Sequence, residues 1–251
     1  GQCLLIPSMP DETSASEKTF LSTVEVRESC GMIWAWMGQD ESTASLPIKT
    51  ESFTGPERKI VRIYQKIDAN VEDLIENFMD SPHTAFVHTG IIRGAGDLVP
   101  RDVTIRSDAT MVRIEHAPSE EKLGLLNRFI NPQNELVSHY DTFVIPSHVS
   151  VDYWFGKHGA EFSAFLGMTP VTDTQTEVFI TLSLKFGWLN FPFALGLMYL
   201  GRKVVQQDVE ILAEQRKNLD LLEKRFPRSI KSDTADVKVR QLRRYLQDPD
   251  G

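Results

Sequence analysis

Two histidines and a carboxylate lie close together between Asp80 and His88, where an amphipathic helix is expected to end. His83 follows Asp80 by three residues, and His88 follows after an apolar link. Two histidines and one carboxylate can hold Fe(II) on one side and leave positions open for O2 and substrate. The segment is therefore a candidate metal site, although an isolated pair of histidines is more simply explained as ordinary polar residues at a helix end.

The helix that precedes these residues is predicted from its apolar spacing. Asn70 is a candidate N-cap, and the two acidic residues after Val71 suit the positive end of a helix dipole. Pro82 disfavours helical backbone angles at the residue before it, so we expect the helix to end near Asp80. One buried stripe is predicted at helical spacing: Val71, Leu74, Ile75, Phe78 and Met79.

A further carboxylate is predicted to lie in the apolar face of a long helix from Arg202 to Arg225. Asp208 shares that face with apolar residues, and burying an ionised carboxylate without a partner is costly. Asp208 should therefore be bound to a metal or paired, in the simpler alternative, with Arg202 or Arg216. The residues predicted to share its face are Val204, Val205, Ile211, Leu212 and Gln215.

Together these residues resemble the catalytic domain of Rieske non-haem iron oxygenases, which include ring-hydroxylating dioxygenase α subunits and vanillate-demethylase-like monooxygenases. The motif Glu-Asn-x-x-Asp-x-x-His-x-x-x-x-His runs without a gap from Glu76 to His88. Asp208, Glu214 and Gln215 on the late helix match the second part of the family pattern. This spacing is specific, whereas a lone His-x-x-x-x-His would not be.

The resemblance implies that His83, His88 and Asp208 ligate one mononuclear Fe(II), with Asn77 close to the iron. It implies that Asp80 orients His83 and joins it to a Rieske histidine of the adjacent subunit in a homotrimer. The implied reaction uses O2 to hydroxylate or oxidatively demethylate an aromatic or other apolar small molecule. A ferredoxin or a flavin reductase would supply the electrons.

The start of the chain resembles the closing strands of a Rieske domain. Strands are expected at Thr23–Arg27 and Gly31–Gly38, around a turn at Glu28-Ser29. A polar connector follows, and the expected domain boundary lies near Leu46. We therefore expect residues 1–46 to be the C-terminal remnant of a Rieske domain and residues 47–251 to be the iron-binding catalytic domain.

The ligands of a Rieske [2Fe-2S] cluster are absent from this sequence. Such a cluster needs two cysteines and two histidines, which the family supplies as Cys-x-His and Cys-x-x-His. Neither motif occurs, and Cys3 and Cys30 are expected to be small buried apolar residues. We expect the cluster to be carried upstream in a longer parent protein, and this fragment to be inactive with O2 and a reductase.

The fold is expected to be α+β, because many strands occur in a row with one early and one long late helix. The resemblance implies a helix-grip fold, an antiparallel sheet wrapped on the long helix. The apolar stretch from Phe186 to Leu200 is expected to be a packed helix and loop, and the charged tail after Phe226 to be solvated and weakly helical. The predicted strands are Lys59–Ile67, Asp102–Arg106, Thr110–His116, Leu136–Ile145, His148–Phe155, Glu161–Met168 and Thr176–Phe186.

Composition sets limits on partners and location. The 251 residues are 41% hydrophobic and 25% charged, as in globular proteins, and the net charge of -8 argues against a nucleic-acid partner. Two cysteines do not make a disulfide framework, so a cytoplasmic location is expected. The stretch Phe186 to Leu200 is shorter than the roughly 20 residues that cross a bilayer, and no membrane association is expected.

Two other function classes remain open at this point: a ligand-binding helix-grip domain without redox activity, and a Zn2+-dependent hydrolase that uses the same three residues. A serine hydrolase is disfavoured because no Gly-x-Ser-x-Gly turn is present. His116, His139, His148 and His158 are expected to be ordinary solvent-facing residues on strands. The candidates for substrate-pocket residues are Phe143, Tyr153, Phe165 and Phe179.

Overall fold

The chain divides into two compact units, Gly1–Leu46 and Pro47–Gly251. The computed structural model describes residues 21–38, 48, 50–89, 91, 102–119, 131–156, 159–221 and 233–247. In the first unit, β1 (Glu25–Ser29) and β2 (Met32–Trp36) form an antiparallel hairpin.

The hairpin turn lies two residues later than expected. Cys30 and Gly31 form it with φ angles of 54° and 67°, the positive values that a two-residue turn of type I′ requires. The prediction of a turn at Glu28-Ser29 is therefore wrong, since Ser29 still pairs with Met32. Cys30 is half-buried and not fully buried, and Cys3 lies outside the described residues.

The second unit contains a seven-stranded antiparallel sheet with the order β3-β9-β8-β7-β6-β5-β4. Buried and half-buried residues alternate along most of β5 and the first part of β6, as expected when one face of a sheet is covered more than the other. Each predicted strand is confirmed, with ends shifted by a few residues in most cases. The strands are β3 (Lys59–Ile67), β4 (Val103–Ser107), β5 (Met111–Ser119), β6 (Val137–Val144), β7 (His148–Phe155), β8 (Ala160–Thr172) and β9 (Gln175–Lys185).

Helix α1 (Val71–Met79) lies on the buried face of this sheet and delivers the candidate site. The side-chain oxygen of Asn70 accepts a hydrogen bond of 2.7 Å from the backbone N–H of Glu72, which confirms the N-cap. The helix ends before Asp80, and a 3-10 turn, Ser81–His83, leads into the short α2 (Thr84–Val87). The apolar face of α1 packs into the main core with residues of the sheet.

Helix α3 (Asn190–Asp220) begins well before the predicted Arg202. The Asn190 side chain fixes its start, because its oxygen accepts from the Phe186 N–H and its NH2 donates to the Glu57 carbonyl, both at 2.8 Å. Pro192 lies in the first turn, where its missing N–H costs no helical hydrogen bond. The expectation of a helix and loop is therefore wrong. Among the described residues, no helix is long and apolar enough to cross a membrane.

Helix α4 (Thr234–Gln247) corrects the prediction of a solvated tail. Ala235 and Val239 are buried in the main core. Arg240 lies 3.7 Å from Glu76 on α1, so charged residues of the tail also contact the unit. With the long α3 and the antiparallel sheet, this arrangement confirms the predicted α+β fold class.

Asp236 on α4 makes the stability of this unit depend on pH. Burial, and then the nearby carboxylates of Glu76 and Asp80, raise the pKa of Asp236 to about 7. A carboxyl group whose pKa is higher in the folded state contributes less stability as pH rises from its unfolded value towards 7. We expect Asp236→Asn to raise the free energy of unfolding by about 2 kcal/mol near pH 8, after discounting for partial exposure.

Denaturant unfolding near pH 8 and near pH 4 measures this effect. The difference in the free energy of unfolding between Asp236→Asn and the natural chain should become small near pH 4. At that pH residue 236 is uncharged in the folded state of both chains. Asp102→Asn, at an exposed position, is the control that should leave the pH dependence unchanged. Equal stability of the Asp236→Asn and natural chains near pH 8 would contradict the raised pKa.

Candidate metal centre

The structure brings His83, His88 and Asp208 together at one point between the end of α1 and the middle of α3. A single carboxylate oxygen, Oδ1 of Asp208, lies 3.5 Å from Nε2 of His83 and 3.1 Å from Nε2 of His88. The Nδ2 amide of Asn77 donates a 3.1 Å hydrogen bond to the same oxygen. Four of the residues singled out in the sequence therefore meet at one oxygen atom. Two of them, Asn77 and Asp208, are 131 positions apart in the chain.

Asp208 is 1% exposed, and it is an ionised group in a buried place. Burial alone would raise the pKa of Asp208, but the close contacts with His83 and His88 hold it at about 2. The polar side chains that contact its carboxylate in the described part of the chain are those of His83, His88 and Asn77. The alternative of a salt bridge to Arg202 or Arg216 is therefore wrong.

The far nitrogen of each imidazole is held by an oxygen acceptor. Nδ1 of His83 donates to the backbone carbonyl of Asp80, and Nδ1 of His88 donates to Oε1 of Gln207 at 3.0 Å. The resemblance implied that the carboxylate of Asp80 orients His83. In the structure the oxygen that accepts from His83 is the backbone carbonyl of Asp80. Such an acceptor behind the ring is the usual companion of a metal-binding histidine.

These hydrogen bonds determine whether Nε2, the nitrogen of each ring that faces Asp208, carries a proton. Because the hydrogen-bond network assigns both protons to Nδ1, both Nε2 atoms turn a lone pair towards the Asp208 carboxylate. Three acceptor atoms that face one another can hold a metal ion between them. Donor atoms that share one ion with bonds of about 2.1 Å lie about 3 Å apart, so the separations from Asp208 fit a divalent metal. The two rings are inclined by 76°, which lets their lone pairs converge.

Other residues of the sequence pattern lie away from this point. Glu214 and Gln215 are exposed, and Glu214 pairs with Lys217 at 2.5 Å. Phe179 is 40% exposed and contacts Tyr64 with ring centroids 5.3 Å apart, so it does not line a buried pocket. Phe143 and Phe165 are fully buried core residues.

A second polar cluster was not anticipated. His116 on β5 and His139 on β6 are buried, which contradicts the expectation that they face solvent, and both share the carboxylate of Asp141. The hydroxyl of Ser81 donates to the same carboxylate. The alternation of Val137, His139, Asp141 and Phe143 along β6 was a signal that could have placed these residues on the buried face.

Nε2 faces the carboxylate in both clusters, and the clusters differ in which imidazole nitrogen carries the proton. Asp141 accepts from Nε2 of His116 and of His139 at 2.7 and 2.9 Å, and nothing holds their Nδ1 atoms within the described chain. The rings are parallel within 4°, so their lone pairs do not converge on one ion. The Asp141 cluster is consequently a hydrogen-bonded group, whereas the Asp208 cluster has the form of a metal site.

The remaining histidines do not join either cluster. His148 is half-buried and stacks on Phe165 with centroids 5.6 Å apart, and burial lowers its pKa to about 4. His158 lies outside the described residues. Ser138 faces the opposite side of β6 from His139 and Asp141, so these three residues do not form a hydrolase triad.

Sequence reasoning missed Gln207, whose amide oxygen accepts from Nδ1 of His88. We expect Gln207→Leu to weaken Fe(II) binding by about 10- to 100-fold, because the acceptor that orients His88 is lost while the side-chain volume is kept. Gln206→Leu is the matched control, since Gln206 is exposed and bonds only to Glu210 in the described structure. Anaerobic Fe(II) titration against a chelator measures both variants. Equal affinities for the two would contradict the role of Gln207.

Residues 67–248 match the family described as the vanillate O-demethylase oxygenase C-terminal domain. The chain is 27% identical over 182 residues to the 3-chlorobenzoate-3,4-dioxygenase oxygenase subunit of Comamonas testosteroni, which covers 71% of the chain and 40% of that protein. It is also 22% identical over 216 residues to the methylxanthine N3-demethylase NdmB of Pseudomonas putida. That alignment covers 86% of this chain and 58% of NdmB. The chain spans between 16% and 58% of the length of the curated relatives it matches.

A solved structure of dicamba monooxygenase bound to 3,6-dichlorosalicylic acid has the same fold. It superposes with a TM-score of 0.72 at 19% sequence identity and covers 90% of this chain and 70% of that one. At this identity the likeness establishes the fold alone.

Proposed function

Because the chain belongs to the family of vanillate O-demethylase oxygenase C-terminal domains, we propose that it is the catalytic part of an oxygenase that uses one mononuclear Fe(II). The single observation that carries the proposal is the convergence of the Nε2 atoms of His83 and His88 on Oδ1 of the buried Asp208. Three acceptors in this arrangement call for a metal ion, and two histidines with one carboxylate suit Fe(II).

The residues around the metal have separate tasks. His83, His88 and Asp208 hold the ion, while Asn77 donates to the Asp208 oxygen and keeps the carboxylate from rotating. The carbonyl of Asp80 and the amide oxygen of Gln207 fix the direction and tautomer of the two imidazoles. Burial of Asp208 and His88 keeps water from competing for these positions. Bound Fe(II) would supply the site where O2 and substrate react.

The proposed reaction is hydroxylation or oxidative demethylation of an aromatic or other apolar small molecule. With O2 it takes up two electrons from a ferredoxin or flavin reductase and releases one oxygen atom as water in the demethylating case. The sequence does not fit a [2Fe-2S] cluster, since it has two cysteines and neither cluster motif, so no electron-transfer step is assigned to residues of this chain. Assembly into a homotrimer remains part of the proposal.

Hydrogen peroxide tests the catalytic part alone, because it supplies both the oxygen atom and the oxidising equivalents. The chain is loaded anaerobically with Fe(II) and given guaiacol and peroxide, and formaldehyde is measured. Peroxide and the methoxy group should yield catechol, formaldehyde and water in equal amounts. Asp208→Ala with the same iron concentration is the control for free iron in solution.

The result also separates the two rival functions. Formaldehyde above the Asp208→Ala level supports the oxygenase. A chain that binds guaiacol but forms no more product than this control would be a non-redox binding domain. Ester hydrolysis by the Zn2+-loaded chain, without oxidation by the Fe(II)-loaded chain, would make it a hydrolase.

A further inference from the structure

The first turns of α3 expose an apolar stripe on their outward face. Their inward face is packed, since Ala194 is buried in the main core and Phe193 and Leu197 pack against it. On the outward face, large side chains recur at helical spacing from the 3-10 turn Gly187–Leu189 into the helix. The members of this α3 stripe, with their exposed fractions, are Trp188 (84%), Phe191 (66%), Leu195 (60%), Met198 (45%) and Tyr199 (73%).

No charged residue interrupts the α3 stripe. The sequence from Phe186 to Gly201 contains no Asp, Glu, Lys or Arg. Single exposed apolar residues are ordinary on protein surfaces, whereas a contiguous patch of large ones marks an interaction site. The outward face of a helix that packs on a sheet is normally polar. We therefore expect a partner to cover the α3 stripe.

The residues that follow the stripe indicate the chemistry of this partner. Arg202 continues the row one helical turn after Met198, and Lys203 is next to it in the chain. Both side chains are exposed. Helices that lie in the interface of a bilayer carry Trp, Phe and Leu towards the acyl chains, while Lys and Arg extend towards the headgroups. The complementary surface is therefore apolar in its interior and negatively charged at its edge.

A bilayer surface can meet these requirements without a membrane span. The apolar stretch is too short to cross a bilayer, but a helix that lies on the surface needs only one apolar face. The net charge of -8 disfavours an anionic surface in general. Charges farther away than about 10 Å are largely screened at ordinary salt concentrations. The two basic residues beside the stripe therefore determine the attraction at the point of contact.

We propose that the α3 stripe, with Arg202 and Lys203, binds the surface of a bilayer that contains anionic phospholipids. The proposal departs from the expectation of no membrane association. It goes beyond the oxygenase function and does not depend on it, because lipid binding requires no metal. Asp208 follows Tyr199 by nine residues on α3, which is about 14 Å along the helix axis. An apolar substrate dissolved in the bilayer would thus be held close to the candidate metal centre.

Flotation of the full chain with lipid vesicles tests this surface. One set of vesicles is phosphatidylcholine alone, and the other contains phosphatidylcholine and phosphatidylglycerol in equal amounts. We expect the natural chain to bind the mixed vesicles at least about tenfold more tightly, because two basic side chains are attracted to the anionic surface. High salt should reduce this preference. A natural chain that floats with neither set of vesicles would overturn the proposal.

Two matched substitutions place the contact on the α3 stripe. Leu195→Glu puts a charge in the middle of the stripe and should weaken binding to the mixed vesicles by more than about tenfold. Leu221→Glu is the control, because Leu221 is 82% exposed and lies just beyond the end of α3. It makes the same chemical change and should bind as the natural chain does. Equal binding by the two variants would overturn the assignment of the stripe.

A second pair of variants tests the basic residues. The double variant Arg202→Gln, Lys203→Gln should bind both sets of vesicles about equally, because the charges that favour the anionic surface are gone. Arg244→Gln, at an exposed position of α4, should keep the preference of the natural chain. A double variant that keeps the full preference would contradict the charged part of the contact.

Trp188 reports lipid contact at the stripe itself. Because its side chain is 84% exposed, its fluorescence emission should shift to shorter wavelength when the chain binds vesicles. Trp188→Phe keeps an apolar aromatic side chain, so it should retain binding and lose most of the shift. The chain has three other tryptophans, and a full shift in Trp188→Phe would mean that lipid contacts another surface, which would overturn the proposal.

A second copy of the chain is the competing occupant of the stripe. Analytical ultracentrifugation of the natural chain and of Leu195→Glu measures self-association. Oligomers that dissociate in Leu195→Glu, with a natural chain that does not float, would make the stripe an interface between copies and would overturn the proposal. If Leu195→Glu fails to fold, flotation of the natural chain and the emission of Trp188→Phe decide the question. Vesicle binding without peroxide-driven demethylation would refute the oxygenase and leave this surface in place.

Discussion

Asp208→Ala will remove tight Fe(II) binding and leave most of the fold in place. The carboxylate is the only charged ligand proposed for the metal, and its oxygen is the point at which His83, His88 and Asn77 meet. Loss of a group that merely orients a ligand already costs about 10- to 100-fold in affinity, so we expect a loss of more than about 100-fold. The substitution also removes the free-energy cost of burying a charge, so the free energy of unfolding should fall only slightly.

Metal analysis after anaerobic loading and desalting, together with far-ultraviolet circular dichroism, measures both effects. Glu210→Ala is the matched control, because Glu210 is an exposed carboxylate on the same helix. This control should bind about one iron per chain. Iron at the natural stoichiometry in Asp208→Ala would mean that the metal ligands have been assigned incorrectly.

Asp141→Asn is expected to lower the free energy of unfolding by about 3 kcal/mol, the scale of breaking a buried charged network. The amide NH2 of asparagine would face an imidazole N–H or the Ser81 hydroxyl, so at least one buried donor loses its acceptor. Because Ser81 begins the turn that carries His83, iron affinity should fall as well.

The pH dependence of unfolding distinguishes this network from a general loss of packing. The pKa of Asp141 is lower in the folded state, so its stabilising contribution is complete above the ordinary carboxyl pKa of about 4 and is lost as pH falls below it. The difference between the natural chain and Asp141→Asn should therefore shrink in acid. Asp173→Asn, at an exposed position, should leave stability unchanged. A difference between the two chains that stays constant with pH would contradict an ionised Asp141.

Local patterns in the sequence were sufficient for α1 and for the turn that carries His83. The cap at Asn70 and the stripe of α1 depend on neighbouring residues, and the proline at 82 ends the helix by local sterics. The start of α3 was misjudged because Pro192 and Gly196 suggested a break, whereas a proline in the first turn of a helix is tolerated. The burial of α4 depends on contacts with α1 and β5, and no local signal gives those contacts.

The side-chain partners were harder to predict than the elements. The bond between His88 and Gln207 joins residues 119 positions apart, and no periodic pattern indicates which amide lies behind an imidazole. His139 and Asp141 share a face of β6 by simple alternation, yet the link to Ser81 and His116 depends on how α1 meets the sheet. Sequence spacing could therefore propose the three ligands, but only the fold gives the hydrogen bonds that set their lone pairs.

Nitric oxide binding to the anaerobic Fe(II)-loaded chain tests the central claim most directly, since nitric oxide occupies the positions that O2 would use. Electron paramagnetic resonance should show the iron–nitric oxide signal at about one per chain in the natural protein and in Glu210→Ala. Asp208→Ala should give almost none after desalting. Tightly bound iron that gives no signal with nitric oxide would mean that the metal has no open position. An undiminished signal in Asp208→Ala would contradict the assignment of His83, His88 and Asp208 as the iron ligands.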